Sequence, residues 1–193
     1  LDRSSAASDV YKRQELYRWI EYYKIKFKSR VYTPLNNSEK YTLVLMGRAD
    51  FGLLGSYNKY KQTPFETFHV GGDGMTGSYT YATETIGLRG YDNGALTPYS
   101  DGRAYTRFSM ELHFPFLLQP SSTIYGLAFV EGGNAWTSLE NFNPFSLKRS
   151  AGVGVRIFLP MIGLMGIDWA YGFDKVQGEK GGGHFHFILG QEF

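Results

Sequence analysis

The chain has 193 residues, 42% of them hydrophobic and 17% aromatic, with 24 Gly, no Cys and a net charge of +2. The absence of Cys excludes a disulfide scaffold and a thiolate metal site, and so small a net charge argues against nucleic-acid binding. No apolar stretch reaches the roughly 18 residues that a transmembrane helix needs, whereas 15 Tyr, 15 Phe and the many Gly favour β structure with tight turns.

The first residues, Leu1–Gln14, differ from everything that follows, and they lack the charged-then-apolar order of a signal peptide. We interpret residues 1–14 as a non-native or disordered leader and residues 15–193 as a single domain. The missing signal is what we expect of a chain cut from a longer exported protein.

Two long segments alternate between apolar and polar residues. In Tyr41–Tyr57, every second residue from Tyr41 is apolar or aromatic, whereas the other parity carries Arg48 and Asp50. Arg103–Phe114 repeats the pattern. Because successive side chains of a strand point to opposite faces, each segment predicts a strand with one apolar and one polar face. Five further segments show the same period with small irregularities: Tyr17–Val31, Ser122–Trp136, Ser150–Leu159, Leu164–Phe173 and His184–Phe193.

These segments favour a transmembrane β-barrel over a soluble β-sandwich, whose strands also alternate. They reach about 10 to 17 residues, whereas strands of soluble proteins are usually about 5 to 6 residues long. Aromatic residues also gather near the segment ends, as they do in the interfacial girdles of membrane proteins.

The connections alternate in length, which predicts the orientation in the membrane. Outer-membrane barrels have short periplasmic turns and long extracellular loops. We therefore expect the C-terminal Phe193 on the periplasmic side and Asn58–Asp101 on the extracellular side. An open sheet edge is not tolerated in hydrocarbon, so seven strands are expected to be part of a larger barrel. The short turns are Leu35–Lys40, Leu117–Ser121 and Leu159–Gly163, and the long loops are Asn58–Asp101, Thr137–Leu147 and Asp174–Gly183.

The longest connection contains the most specific string, Leu88-Arg89-Gly90-Tyr91, preceded by Phe68-His69-Val70-Gly71-Gly72. The first string fits a pattern in which an aliphatic residue is followed by Arg, Gly and then Tyr or Phe. On both strings, the chain from Glu15 onward resembles the C-terminal barrel portion of the BamA-type outer-membrane assembly factors, within the bacterial surface antigen superfamily of POTRA-barrel transporters. The resemblance implies an all-β fold: the last seven strands of a sixteen-stranded antiparallel transmembrane β-barrel, with the loop 58–101 folded back into the lumen.

An arginine inside a lumen needs an acidic partner, because burying an unpaired guanidinium is costly. The segment Phe129-Val130-Glu131-Gly132-Gly133 matches an aromatic-x-acid-x-Gly pattern of the family. We therefore expect Arg89 to pair with Glu131. Asp168 is the second candidate by its inward parity, and Glu111 is the third.

The C-terminal segment alternates Phe185, Phe187 and Leu189 and ends in Phe193, which resembles the β-signal on the last strand of outer-membrane proteins. Gln191 departs from the usual apolar choice. In the family, the seam between first and last strands opens laterally and accepts client strands by edge pairing, a form of β-augmentation. Gly190 is expected to weaken pairing there, because Gly is costly in a strand.

Enzyme chemistry finds little support. His184 and His186 share a face, as a metal-binding pair would, but no third ligand lies nearby in the sequence. No Gly-x-Ser-x-Gly elbow occurs, and the Gly-rich strings do not follow a strand-then-helix order. We expect no enzymatic activity, no metal and no cofactor.

The resemblance implies assembly and insertion of outer-membrane β-barrel proteins, without covalent chemistry, in a bacterial outer membrane. The expected partners are nascent outer-membrane β-barrel proteins, outer-membrane lipids and lipopolysaccharide, and accessory lipoproteins bound by periplasmic domains. The alternative is a polypeptide-translocating pore of the two-partner secretion type, which shares the Arg-Gly-aromatic loop. A simple porin is disfavoured, because porin loops do not need this motif.

Overall fold

The computed structural model describes residues 22–36, 42–57, 63, 66–74, 83–97, 99, 101–119, 122–161, 163–176 and 182–190. The predicted leader and Phe193 lie outside the described residues. No helix within those ranges is long and apolar enough to cross a membrane.

Seven strands form one antiparallel sheet in which each strand pairs with the next along the chain. These strands are β1 (Tyr22–Pro34), β2 (Val44–Ser56), β5 (Ala104–Gln119), β6 (Ser122–Trp136), β7 (Lys148–Leu159), β8 (Gly163–Gly172) and β9 (Gly183–Leu189). Two further strands, β3 (Thr67–Val70) and β4 (Thr83–Ile86), lie within the long loop. The sheet order is β1-β2-β5-β6-β7-β8-β9, which confirms the predicted all-β fold. Among the described residues, β1 and β9 are the edges of this sheet.

The sheet exposes its apolar face and buries its charged face. Phe185 is 69% exposed and Val153 is 56% exposed, whereas Glu131 is 4% exposed and Asp168 is fully buried. A soluble protein buries its large apolar side chains and leaves most charges in water. The reversed distribution is that of a transmembrane barrel wall, with apolar residues toward lipid and polar residues toward the lumen.

Several strand ends differ from the sequence-based bounds by one to five residues, and two of these differences have a backbone cause. β5 continues to Gln119 instead of ending at Phe114, through a register shift between Pro115 and Leu117. Pro115 has no N–H to donate to a ladder, and bulges accommodate such positions. At the other end of the sheet, β9 stops at Leu189 because Gly190 turns to φ 101°, a backbone angle outside the extended region.

The long loop contains two short strands that the alternation did not predict. β3 (Thr67–Val70) and β4 (Thr83–Ile86) pair in parallel, and a bridge joins Gly72 to Leu88. Buried apolar residues of the loop pack against the inner faces of the sheet, where the Phe68 and Tyr105 ring centroids are 4.7 Å apart. The loop therefore carries its own small core and lies against the charged face of the sheet.

Lysines of β1 attach this loop core to the first described strand. The Nζ of Lys24 lies 2.8 Å from a Glu66 carboxylate oxygen and 3.0 Å from one of Glu84, and Lys26 lies 3.1 Å from Glu84. Burial alone would raise the pKa of the Glu84 carboxyl, but the hydrogen bonds from Lys24 and Lys26 outweigh burial and lower it. Glu84 therefore stays ionised and holds β4 beside β1.

Candidate functional site

The Leu88–Tyr91 motif lies directly on the inner wall, and glycines make this approach possible. Gly90 has φ 88°, and a Cβ atom on Gly172 of β8 would lie 2.4 Å from the Gly90 carbonyl oxygen. Any side chain at Gly172 would therefore push the loop away from the wall. This close approach brings Arg89 within reach of the strand side chains.

Arg89 binds three carboxylates from three strands. Its Nη2 lies 2.7 Å from Glu131 Oε1 and also contacts Glu111, and its Nη1 lies 2.9 Å from Asp168 Oδ2. The backbone N–H of Arg89 donates a further bond of 2.9 Å to Glu131 Oε2. The three carboxylates proposed from the sequence are thus not alternatives, because the planar guanidinium reaches all of them at once.

Two further arginines balance the charge. Arg107 Nη2 lies 3.0 Å from Glu131 Oε1, and Arg156 binds both oxygens of Asp168, one of them at 2.7 Å. With Arg89, these make three guanidinium groups against three carboxylates, all of them buried. Buried ions are tolerated when they are paired and hydrogen-bonded. We call these six residues the charge cluster: Arg89, Arg107, Arg156, Glu111, Glu131 and Asp168.

The guanidinium of Arg89 stays protonated. Burial alone would lower the pKa of its guanidinium, but the neighbouring carboxylates, led by Glu131 and Glu111, outweigh burial and raise that pKa well above its usual value. The ring of Phe129 supports the same group from below, with its centroid 3.5 Å from the guanidinium carbon. A cation over an aromatic face is attracted by the ring quadrupole.

The rest of the motif reaches two more strands. The Tyr91 hydroxyl donates to the Arg149 carbonyl on β7 at 2.6 Å, and the Gly90 N–H donates to His186 Nε2 on β9 at 2.9 Å. Together with the carboxylates on β5, β6 and β8, the four-residue motif contacts five consecutive strands. The arrangement docks a loop through many simultaneous contacts.

Among the described residues, no three His, Cys, Asp or Glu side chains are grouped as a metal site requires.

The residues proposed for the last strand lie apart from this cluster. Phe185, Phe187 and Leu189 point outward and are exposed, and Gly190 follows the strand. Sequence reasoning did not propose Arg107, Arg156 or His186 as site residues, although each has inward parity. The alternation shows that these residues point inward, but it does not show which inward residues of neighbouring strands lie beside the docked motif.

Comparison with known proteins concerns the family and the fold of the chain. The model of the Omp85 superfamily domain matches residues 11–193. The chain is also similar to the crystal structure of BamA from Haemophilus ducreyi lacking POTRA domains 1–3, with a TM-score of 0.61 and 20% sequence identity. That likeness shows the fold and covers 87% of this chain and 34% of the solved chain, so the present chain spans about a third of the solved chain's length.

Proposed function

The chain belongs to the Omp85 superfamily of outer-membrane insertion and secretion proteins, and we propose that it forms the C-terminal barrel portion of a BamA-type assembly factor. The resemblance predicted from the sequence is confirmed for the superfamily, and the fold is confirmed as that of a fragment of a BamA barrel. The superfamily works by assembly or transport without enzymatic chemistry, and it places the chain in an outer membrane. The finer role below is our proposal.

The observation that carries the proposal is the docked motif. The loop is bound to five neighbouring strands, including the edge strand β9. Docking of the loop inside the barrel is therefore linked to the position of β9. In the proposed function, the docked Leu88–Tyr91 motif supports the barrel wall while β9 serves as one side of a lateral seam. Client strands pair with this edge through backbone hydrogen bonds, as in β-augmentation.

The shape of the edge supports assembly more than secretion. β9 has 7 residues, whereas the interior strand β5 has 16. A short edge strand that ends at a glycine with φ 101° forms fewer ladder bonds and is easier to separate from a neighbour. The proposed partners are nascent outer-membrane β-barrel proteins, with lipids and lipopolysaccharide around the apolar face. Accessory lipoproteins would bind periplasmic domains outside this chain, and the C-terminus would lie on the periplasmic side.

Site-specific photo-cross-linking in the full-length protein tests this function. A benzophenone amino acid in place of Phe187 on β9 is expected to cross-link a stalled client barrel, because paired strands hold facing side chains about 5 Å apart. The matched control is the same amino acid in place of Val153, which is also lipid-facing but lies on the interior strand β7. We expect client adducts at Phe187 and only background at Val153.

A third position separates the two candidate functions. Lys28 lies on the inward-facing parity of β1. A client that crosses the lumen would pass Lys28, whereas a client paired to β9 would not. Client adducts at Lys28 without adducts at Phe187 would contradict assembly through the seam and support the two-partner secretion alternative.

A further inference from the structure

The last described strand presents two histidines to the loop, outside the charge cluster. His186 Nε2 accepts the hydrogen bond from the Gly90 N–H, and His184 Nδ1 lies 3.2 Å from an Asp92 carboxylate oxygen. The two rings stack with their centroids 6.2 Å apart. A His-x-His pair on β9 therefore contacts both ends of the Gly90–Asp92 segment.

The bond to Gly90 depends on the protonation of His186. A neutral imidazole offers one ring nitrogen as an acceptor, whereas both nitrogens of an imidazolium are donors. Protonation of His186 at Nε2 would place its N–H against the N–H of Gly90, so that two hydrogen-bond donors face each other. His186 is 6% exposed and Gly90 is buried, so water has little access to replace the lost partner. A buried backbone N–H without an acceptor is costly.

We propose that His186 is a positioning residue whose neutral ring holds the Leu88–Tyr91 motif against β9, and that protonation of this ring releases the connection. The consequence for client pairing rests on the proposed function, since release would uncouple the edge strand from the docked loop. The connection itself is a property of the barrel and can be measured without any client.

The acidic groups near His186 do not offset the loss of its bond to Gly90. Asp168 lies opposite His186 in the β8–β9 register, and it is already bound by Arg89 and Arg156. Its negative charge is therefore balanced without the imidazole. The other titratable groups that act on His186 are His184 on the same strand, Asp73 in the loop and Glu131 on β6.

The neighbouring contact between His184 and Asp92 lies near solvent. Asp92 has 77% of its side chain exposed. Ion pairs in water are weak because solvent and salt screen them. The buried bond to Gly90 is the one that determines whether the motif stays on β9.

Hydrogen exchange in the full-length protein in lipid nanodiscs tests the proposal. The readout is exchange of the peptide that contains Leu88–Tyr91, corrected for intrinsic rates, at about pH 7.5 and about pH 5.5, on either side of the ordinary imidazole pKa. The variants are His186→Gln, whose carbonyl accepts at both pH values, and His186→Leu, which accepts at neither. His184→Gln is the matched control on the same face of β9.

In the wild type, we expect exchange to be about tenfold faster at the lower pH, as for the loss of one net hydrogen bond. His186→Gln should stay protected at both pH values, His186→Leu should exchange fast at both, and His184→Gln should keep the pH dependence. A pH response in His186→Gln equal to that of the wild type would overturn the proposal, as would wild-type protection in His186→Leu. Client insertion that stays unchanged despite this exchange pattern would count against the proposed function alone.

Discussion

The substitution Arg89→Glu is expected to undock the loop and to stop client assembly by the full-length protein. The change removes the cation shared by Glu131, Glu111 and Asp168 and adds a fourth carboxylate among them. Removing one partner of a buried ion pair costs about 3–5 kcal/mol, and a charge reversal adds repulsion to that cost. The measurements are client insertion into proteoliposomes and the temperature at which the folded barrel loses its anomalous gel mobility.

Arg149→Glu is the matched control, because Arg149 also carries a guanidinium, but its side chain lies in solvent near the start of β7, on the parity of the outward-facing Val153. Its side chain is 70% exposed and pairs with Asp174, and the contact from Tyr91 uses the Arg149 backbone carbonyl. This variant should insert clients at nearly the wild-type rate. Equal losses in both variants would mean that any reversed charge near the loop is damaging, and the docking account would fail.

The second large effect is expected from Glu131→Gln, which keeps the shape of the side chain and removes its charge. Glu131 accepts bonds from the Arg89 backbone and guanidinium, from Arg107 and from the Ser109 hydroxyl. An amide offers one acceptor oxygen in place of two and turns its NH₂ group toward guanidinium donors. Since a hydrogen bond to a charged group contributes about 1.5–3 kcal/mol, we expect loop docking to weaken by about 3 kcal/mol.

Hydrogen exchange of the Leu88–Tyr91 peptide measures this loss directly, and client insertion should fall with it. Glu140→Gln, in the exposed 3₁₀ turn Leu139–Asn141, removes a carboxylate that makes no contact with the motif and serves as the control. Unchanged protection of the motif in Glu131→Gln would show that the carboxylate does not hold the loop.

Much of the wall was predictable because a strand has a period of two. Alternation alone assigns Arg107, Glu111 and Glu131 to one face, and the apolar neighbours to the other, whichever strand lies beside them. The same rule places Asp168 and His186 inward. These assignments need no long-range information, which is why they follow from local sequence.

The site itself could not be assembled from alternation. Whether Asp168 and Glu131 lie near one another depends on the register of β6 with β7 and of β7 with β8, which the turns determine. The strands β3 and β4 have four residues each and pair only inside the docked loop, so their sequences are too short to carry a period. The inward fold of the loop was expected only from the family resemblance.

A double-mutant cycle on Arg89→Gln and Glu131→Gln tests the central claim, which is that a charge-balanced cluster holds the motif on the wall. Each single change leaves the cluster with unequal charges, whereas the double change leaves Arg107 and Arg156 facing Glu111 and Asp168. We therefore predict that client insertion by the double variant is no worse than by either single variant, since contacting residues are coupled. Losses that simply add would contradict the account, because independent sites and not a shared cluster would then support the loop.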